Sequence, residues 1–148
     1  MTSAAYLPPG LPVPVPESDG ISAPYWSGLR ESRLLVQRCT QCGTWQFAPE
    51  CICHRCHAFD PAWVEVQPQG RIFSWERVWH PVHPALKDGC PYLAVLVELP
   101  DAGNVRMVGN LLGDPLQEVR IGAEVEAVFE PHDAATPPYT LVQWRVTG

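Results

Sequence analysis

The sequence predicts a mainly β protein in which a short N-terminal helical segment leads into a small cysteine-stapled ribbon and then a C-terminal barrel. Two Cys-x-x-Cys pairs, Cys39/Cys42 and Cys53/Cys56, stand ten residues apart, so two tight turns can bring four thiolates to one metal ion. After them, short strand-like segments alternate with turn signals and no long helical period appears. With 46% hydrophobic and 18% charged residues in 148, the chain can bury enough apolar surface to offset the entropy of ordering it. That length suits one ordinary domain, or a metal-stapled module attached to one compact core.

Residues 1–24 carry Pro8, Pro9, Pro12, Pro14, Pro16 and Pro24, too many for a helix and too irregular for a paired strand. They are expected to form an extended arm, either a disordered terminus or a stiff segment that docks on a partner. From Tyr25 to Val36 the residues Trp26, Leu29, Arg33 and Leu34 fall near helical spacing, which predicts an amphipathic helix over 25–37. Gly28 weakens such a helix in isolation, so it depends on packing against something larger, for which a partner subunit is one option.

The ribbon is expected over 38–60 and the barrel over 61–148. Candidate strands are Trp63–Val66, Arg71–Trp79, Tyr92–Leu99, Val105–Leu112, Glu124–Glu130 and Tyr139–Val146. Turn signals separate them at Pro68-Gln69-Gly70, His80–Pro91, Asp101–Asn104, Gly113–Gly122 and Asp133–Pro138. Five or six short strands fit a partly open Greek-key barrel of the oligonucleotide/oligosaccharide-binding (OB) type.

In the cysteine cluster, Gly43 can adopt the positive φ that a thiolate knuckle requires. Cys39, Cys42, Cys53 and Cys56 are the expected ligands of one structural zinc ion, with iron in a rubredoxin-like site as the alternative metal. Cys51 is an alternative thiolate, but only Cys53 and Cys56 preserve the two-residue spacing. His54 and His57 read as surface residues that could stand in as ligands, and Cys90 as a buried inert thiol. Four thiolates leave zinc no open position for water or substrate, so the metal is a staple and not a reagent. On this reading the ribbon folds with its metal, and the barrel survives its loss.

The formal charge of −6 and the shortage of Lys and Arg argue against phosphate-backbone binding, which depends on clustered cations. No run of about 18 apolar residues or signal-like N-terminus is present. Five of the six cysteines lie within positions 39–56, a metal-knuckle spacing that belongs to a reducing compartment, so a cytoplasmic setting is expected. Phosphate loops, nucleophile elbows and His-Glu-x-x-His motifs are missing from the sequence. The best candidate for a ligand or partner site is the loop carrying Trp79, His80, His83, Lys87 and Tyr92, where two histidines lie between aromatic ends.

Taken together, Tyr25-Trp26-x-Gly28-Leu29, Leu34-Leu35-Val36-Gln37-Arg38-Cys39, Cys42-Gly43, Pro49, Cys53-x-x-Cys56, Gly70-x-Ile72-x-Ser74-Trp75, Pro91-Tyr92, Val97-Glu98-Leu99 and Ile121-Gly122 before Val125 resemble domain-of-unknown-function family 35. The resemblance spans roughly Tyr25 to Val146. It implies an N-terminal helical segment, a rubredoxin-like zinc ribbon and a C-terminal OB-fold. It further implies an accessory subunit in a hetero-oligomer with a thiolase-like enzyme acting on acyl-CoA thioesters, by carbon–carbon bond formation or by aldol cleavage such as that of steroid side chains. Catalytic residues would then belong chiefly to the partner. Tyr25, Trp26 and Leu29 would help dock the chain, and the barrel would border an acyl-CoA site shared with that partner. Two other readings compete: a stand-alone single-stranded nucleic-acid or ligand-binding module using the six tryptophans, and an independent thioester hydrolase using the His80–Tyr92 loop.

Overall fold

The computed structural model describes residues 5–17 and 20–148; residues 1–4 and 18–19 of the expected arm lie outside that range. Among the described residues one α-helix, α1, runs from Ala23 to Arg30, 8 residues where the periodicity predicts a helix over 25–37. It stops because the chain turns left-handed at Ser32 (φ 57). There Ser32 N–H donates to the Leu29 carbonyl at 3.0 Å and Arg33 N–H to the Gly28 carbonyl at 2.8 Å, the paired bonds of a Schellman cap. The expected helical residues Leu34 to Gln37 instead enter strand β1, Leu34–Arg38. Leu34 and Val36 fit a period of two as well as one of 3.6, and both bury completely on one strand face. Gly28 lets this reversal close, because a Cβ there would stand 2.9 Å from Leu35 Cγ.

Strand β1 is the centre of a small antiparallel sheet, flanked by β2, Trp45–Gln46, and β3, Ala62–Val66. The second sheet contains β4 (Gln69–Val78), β5 (Tyr92–Leu99), β6 (Val105–Asn110), β7 (Glu124–His132) and β8 (Tyr139–Val146), in the order β6-β5-β4-β7-β8. A parallel bridge between Leu111 and Trp144 links its two edges, and Leu112 N–H donates to the Trp144 carbonyl at 2.8 Å. The result is a nearly closed five-stranded OB-like barrel, as the strand pattern predicts, except that the expected barrel strand Trp63–Val66 pairs with β1 in the small sheet instead.

Strand β4 serves both halves of the barrel. Gln69–Arg71 pair with β7, Arg71–Val78 pair with β5, and the register shifts between Ile72 and Ser74, an irregularity that bends the strand. Gly70 sits where β5 comes closest, so that a Cβ would be 2.5 Å from Val97 Cγ1 and 2.6 Å from the Glu98 carbonyl. On β6, Gly109 leaves room for the fully buried Trp144 ring, whose Cδ1 would be 2.8 Å from a Cβ.

One hydrophobic core runs through both sheets: Leu29, Leu34 and Val36 belong to the same cluster as Ile72, Val97 and Trp144. Within the ribbon, Trp45 and Phe47 pack against this core, which bears against the expectation that ribbon and barrel are separable units. The ribbon is too small to bury its own apolar face, and it uses the barrel's. The arm is also accounted for within the chain, since residues Tyr6 to Pro14 lie against the barrel.

Two substitutions test these constraints. Gly70→Ala forces a methyl into the β4–β5 contact and is expected to lower unfolding stability by about 3 kcal/mol, read from the denaturant midpoint. Ser32→Gly relieves the left-handed cap and is expected to raise stability by about 0.5–1 kcal/mol in the same measurement.

Candidate metal centre and its surroundings

Two nearly equivalent knuckles form the centre. In the first, Cys39 N–H donates to the Thr44 carbonyl at 2.8 Å and Gly43 N–H to the Cys39 carbonyl at 3.0 Å. In the second, Cys53 N–H donates to the Ala58 carbonyl at 2.8 Å and His57 N–H to the Cys53 carbonyl at 2.9 Å. Gly43 (φ 73) and His57 (φ 63) occupy the same left-handed position. His57 thus serves the backbone turn, while the His54 ring nitrogen Nδ1 lies 3.2 Å from Gln46 Oε1. Neither histidine joins the thiol cluster.

The Sγ atoms of Cys39, Cys42, Cys53 and Cys56 all lie within 4.8 Å of one another, with Cys39–Cys56 at 3.5 Å and Cys42–Cys53 at 3.7 Å. A tetrahedral ion with sulfur at about 2.3 Å requires sulfurs about 3.8 Å apart, so the donor set fits zinc in size and chemistry. Backbone amides of Gln41 and Cys42 point at Cys39 Sγ, and that of Arg55 at Cys53 Sγ, at 3.4–3.5 Å. Cys51 is exposed and outside the cluster.

The thiols of Cys39, Cys42 and Cys56 do not ionise alike. Side-chain and backbone hydrogen bonds with Thr44 hold the Cys42 thiol down at about 6, and the Cys42 amide leads the lowering at Cys39. At Cys56 the Ala58 amide also lowers the value, but Cys39 and the other crowded thiols outweigh it and push it up to about 12. Crowding thus opposes ionisation of all four sulfurs together, and a divalent cation at their centre would supply the compensating charge.

Sequence reasoning passed over the polar frame that sets the two knuckles against each other. Gln37 and Gln46 are buried, and Gln46 Nε2 donates to Gln37 Oε1 at 3.1 Å and to the Ile52 carbonyl at 3.2 Å. Gln37 then bonds both backbone groups of Glu50, at 2.9 and 3.0 Å. A glutamine on each of two paired strands next to a knuckle was the available signal. The ribbon seats on the barrel through Trp45, whose ring covers Gly103, where a Cβ would be 2.7 Å from Trp45 Cδ1.

The Trp79–Tyr92 loop is brought to the surface and not into a catalytic set. Trp79, His80 and Lys87 are exposed. His83 is used locally: its Nδ1 accepts the Ala85 N–H at 3.1 Å and caps a 3-10 turn, Pro84–Leu86. Tyr92 is half-buried at the start of β5, and burial raises its pKa, with added contributions from Cys90 and Glu76. Cys90 is half-buried, less enclosed than the sequence suggested.

The docking residues read from the helix divide in two. Leu29 is fully buried in the chain's own core, so it has no surface to offer a partner. Its position one turn from the Schellman cap points it at the barrel, where sequence spacing could not distinguish an internal from an external neighbour. Tyr25 and Trp26 are half-buried and meet edge to face at 5.4 Å, and burial pushes the Tyr25 phenol up to about 12. No helix among the described residues is long and apolar enough to cross a membrane.

Comparison with known proteins matches residues 26–62 to the ChsH2 rubredoxin-like zinc ribbon domain and residues 63–130 to the ChsH2 C-terminal OB-fold domain. A probable enoyl-CoA hydratase alpha subunit from Thermomonospora curvata is 34% identical over 112 residues, 76% of this chain. The chain spans only 34% of that relative's length. A DUF35 domain-containing scaffold protein from Methanocaldococcus jannaschii is 30% identical over 111 residues, covering 70% of this chain and 73% of the relative. Among solved structures, the Ltp2-ChsH2(DUF35) aldolase contains a chain 32% identical with a TM-score of 0.73, matched over 89% of this chain and 98% of that one. A DUF35 protein from Sulfolobus solfataricus, 15% identical with a TM-score of 0.62 and 87% of each chain covered, shares the fold. With both halves matched in order and the cysteine knuckles in place, the chain belongs to the DUF35 family of ChsH2-type proteins, a zinc ribbon joined to an OB-fold.

Proposed function

We propose that this chain is the accessory subunit of a thiolase-like enzyme acting on acyl-CoA thioesters, by aldol cleavage or carbon–carbon bond formation, with a steroid-like acyl group as one candidate substrate. The observation that carries the reading is the similarity over nearly the whole DUF35 chain of the Ltp2-ChsH2 aldolase. The scaffold relative supports it, as does a ribbon whose metal would be fully enclosed by protein sulfur. Catalytic groups would come from the partner. This chain supplies a rigid body with exposed apolar points, Trp79 at 63% and Val82 at 77% exposure, beside His80 and Lys87. Such a loop is suited to bury against a partner and border a shared acyl-CoA site, with Tyr25 and Trp26 adding a second contact.

The metal in this reading is structural zinc held by Cys39, Cys42, Cys53 and Cys56. Six unbridged cysteines suit a reducing, cytoplasmic setting. A stand-alone nucleic-acid module is disfavoured by charge and by position: the cleft between the β4–β5 and β7–β8 loops, where barrels of this type take oligomers, is covered by the chain's own arm.

Co-expression with the thiolase-like protein encoded nearby is expected to give a complex on gel filtration and thioester turnover that the isolated chain lacks. Separate elution with unchanged partner activity refutes the proposal. Trp79→Ala with Val82→Ser is expected to weaken assembly by about thirtyfold, the effect of losing one hot spot, with the monomer's melting temperature unchanged. Metal analysis is expected to find one zinc per chain. Cys53→Ser or a strong chelator removes it and lowers thermal stability of ribbon and barrel together, because binding energy is folding energy and the core is shared. Bound iron would overturn the choice of metal, and melting of the ribbon alone would overturn the coupling.

A further inference from the structure

Tyr6 of the arm is held at both ends. Its backbone N–H donates to Glu130 Oε1 at 2.6 Å, and its phenol oxygen accepts the Leu93 N–H at 3.3 Å. Between these points the barrel provides a continuous polar path. Gln143 Nε2 donates to Glu130 Oε2 at 3.4 Å, Gln143 Oε1 accepts the Asn110 N–H at 2.7 Å, and Asn110 Nδ2 donates to the Leu93 carbonyl at 3.0 Å. Tyr6 closes this circuit. The Glu130 side chain is only 6% exposed and Leu93 is fully buried. With the arm in place both groups are shut away and matched, the carboxylate oxygen by the Tyr6 N–H and the Leu93 N–H by the phenol oxygen; an occupant offering neither partner would bury them unmatched, which is expensive. The groove therefore specifies its ligand: one donor toward Glu130 and one acceptor toward Leu93.

The rest of the arm adds shape but little burial. Pro8 lies over Gly89, where a Cβ would be 2.5 Å from Pro8 Cγ, and the chain turns at Gly10 with φ 100. Val13 and Val15 are 56% and 68% exposed, and the arm contributes nothing to the hydrophobic core cluster. A cavity of about 830 Å³ remains between arm and barrel, lined on the barrel side by Glu130, His132, Tyr139 and Gln143. The segment is thus held by hydrogen bonds at Tyr6 and a tether, not by core packing.

We propose that this cleft is a recognition groove for an extended, tyrosine-led peptide segment, and that residues Tyr6–Pro14 occupy it in cis as a displaceable strap. The tether to α1 is short and gives the arm an effective concentration on the order of millimolar. A groove of modest intrinsic affinity then stays mostly closed, and any incoming segment competes against that concentration.

The test uses the full chain with a specific protease site placed between Pro16 and Ala23, cleaved after folding. The probe is a fluorescently labelled peptide of residues 1–16. The uncleaved chain is expected to exclude the peptide well below about 1 mM. The cleaved chain is expected to release its arm on dilution and to take the labelled peptide saturably; an arm retained against excess labelled peptide overturns the proposal. A Tyr6→Phe peptide, which lacks the acceptor for Leu93 N–H, is expected to bind about tenfold more weakly. Release without rebinding from a barrel still folded by circular dichroism overturns the proposal, as does equal binding of the Tyr6→Phe peptide. Unfolding on release overturns it too, because the arm would then be an integral part of the barrel.

Discussion

The convergence of four cysteine sulfurs to within 4.8 Å of one another is the constraint on which the rest of the structure depends. Nearby amides treat the cluster unevenly: the Thr44 and Cys42 groups lower the first knuckle's thiols, while Cys56 is driven the other way by its neighbours. The proposed zinc ion would reconcile the four. Around this cluster the Gln37–Gln46 frame sets the two knuckles against each other, and β1 presents Leu34 and Val36 to the barrel. A polar cluster is thereby built directly against an apolar core.

The barrel answers with a different device. Strand β4 bends so that one strand pairs with both β5 and β7, and glycines at 70 and 109 stand where backbone and the Trp144 ring come too close for a side chain. Where β6 meets β8, the ladder is reduced to a bridge, and side-chain amides of Asn110 and Gln143 carry the polar groups across. That seam is the least regular part of the barrel and the place where the arm attaches. There Tyr6 supplies an acceptor for the Leu93 backbone N–H and a donor for the Glu130 carboxylate.

These features suit a subunit whose purpose is to hold a shape. A small sheet and a barrel that share one core make one body, so an exposed loop can meet the proposed partner without losing much freedom on binding. Trp79 and Val82 project from that body, while the nearby His83 is spent on capping a turn.

Much of this was legible in sequence because it rests on local spacing. Cysteine pairs two residues apart, turn residues between alternating strands and a proline-rich start follow from short-range geometry, and the expected fold class, a zinc ribbon followed by an OB-like barrel, is the one found. What spacing could not reveal was which surface each element would meet. Leu34-Leu35-Val36 satisfies a helix or a strand equally; the left-handed Ser32 and pairing with β3 decided for the strand. Leu29 reads as a docking residue until the barrel covers it, and Tyr6 reads as part of a loose tail until Glu130, 124 residues away, receives its N–H. The sequence by itself determined the metal-ligand spacing and the five barrel strands from Gln69 to Val146, since those rest on patterns among neighbours along the chain. Tertiary structure alone decided that the ribbon and barrel share a core and that the arm turns back on it, because burial and long-range hydrogen bonds exist only once distant segments meet.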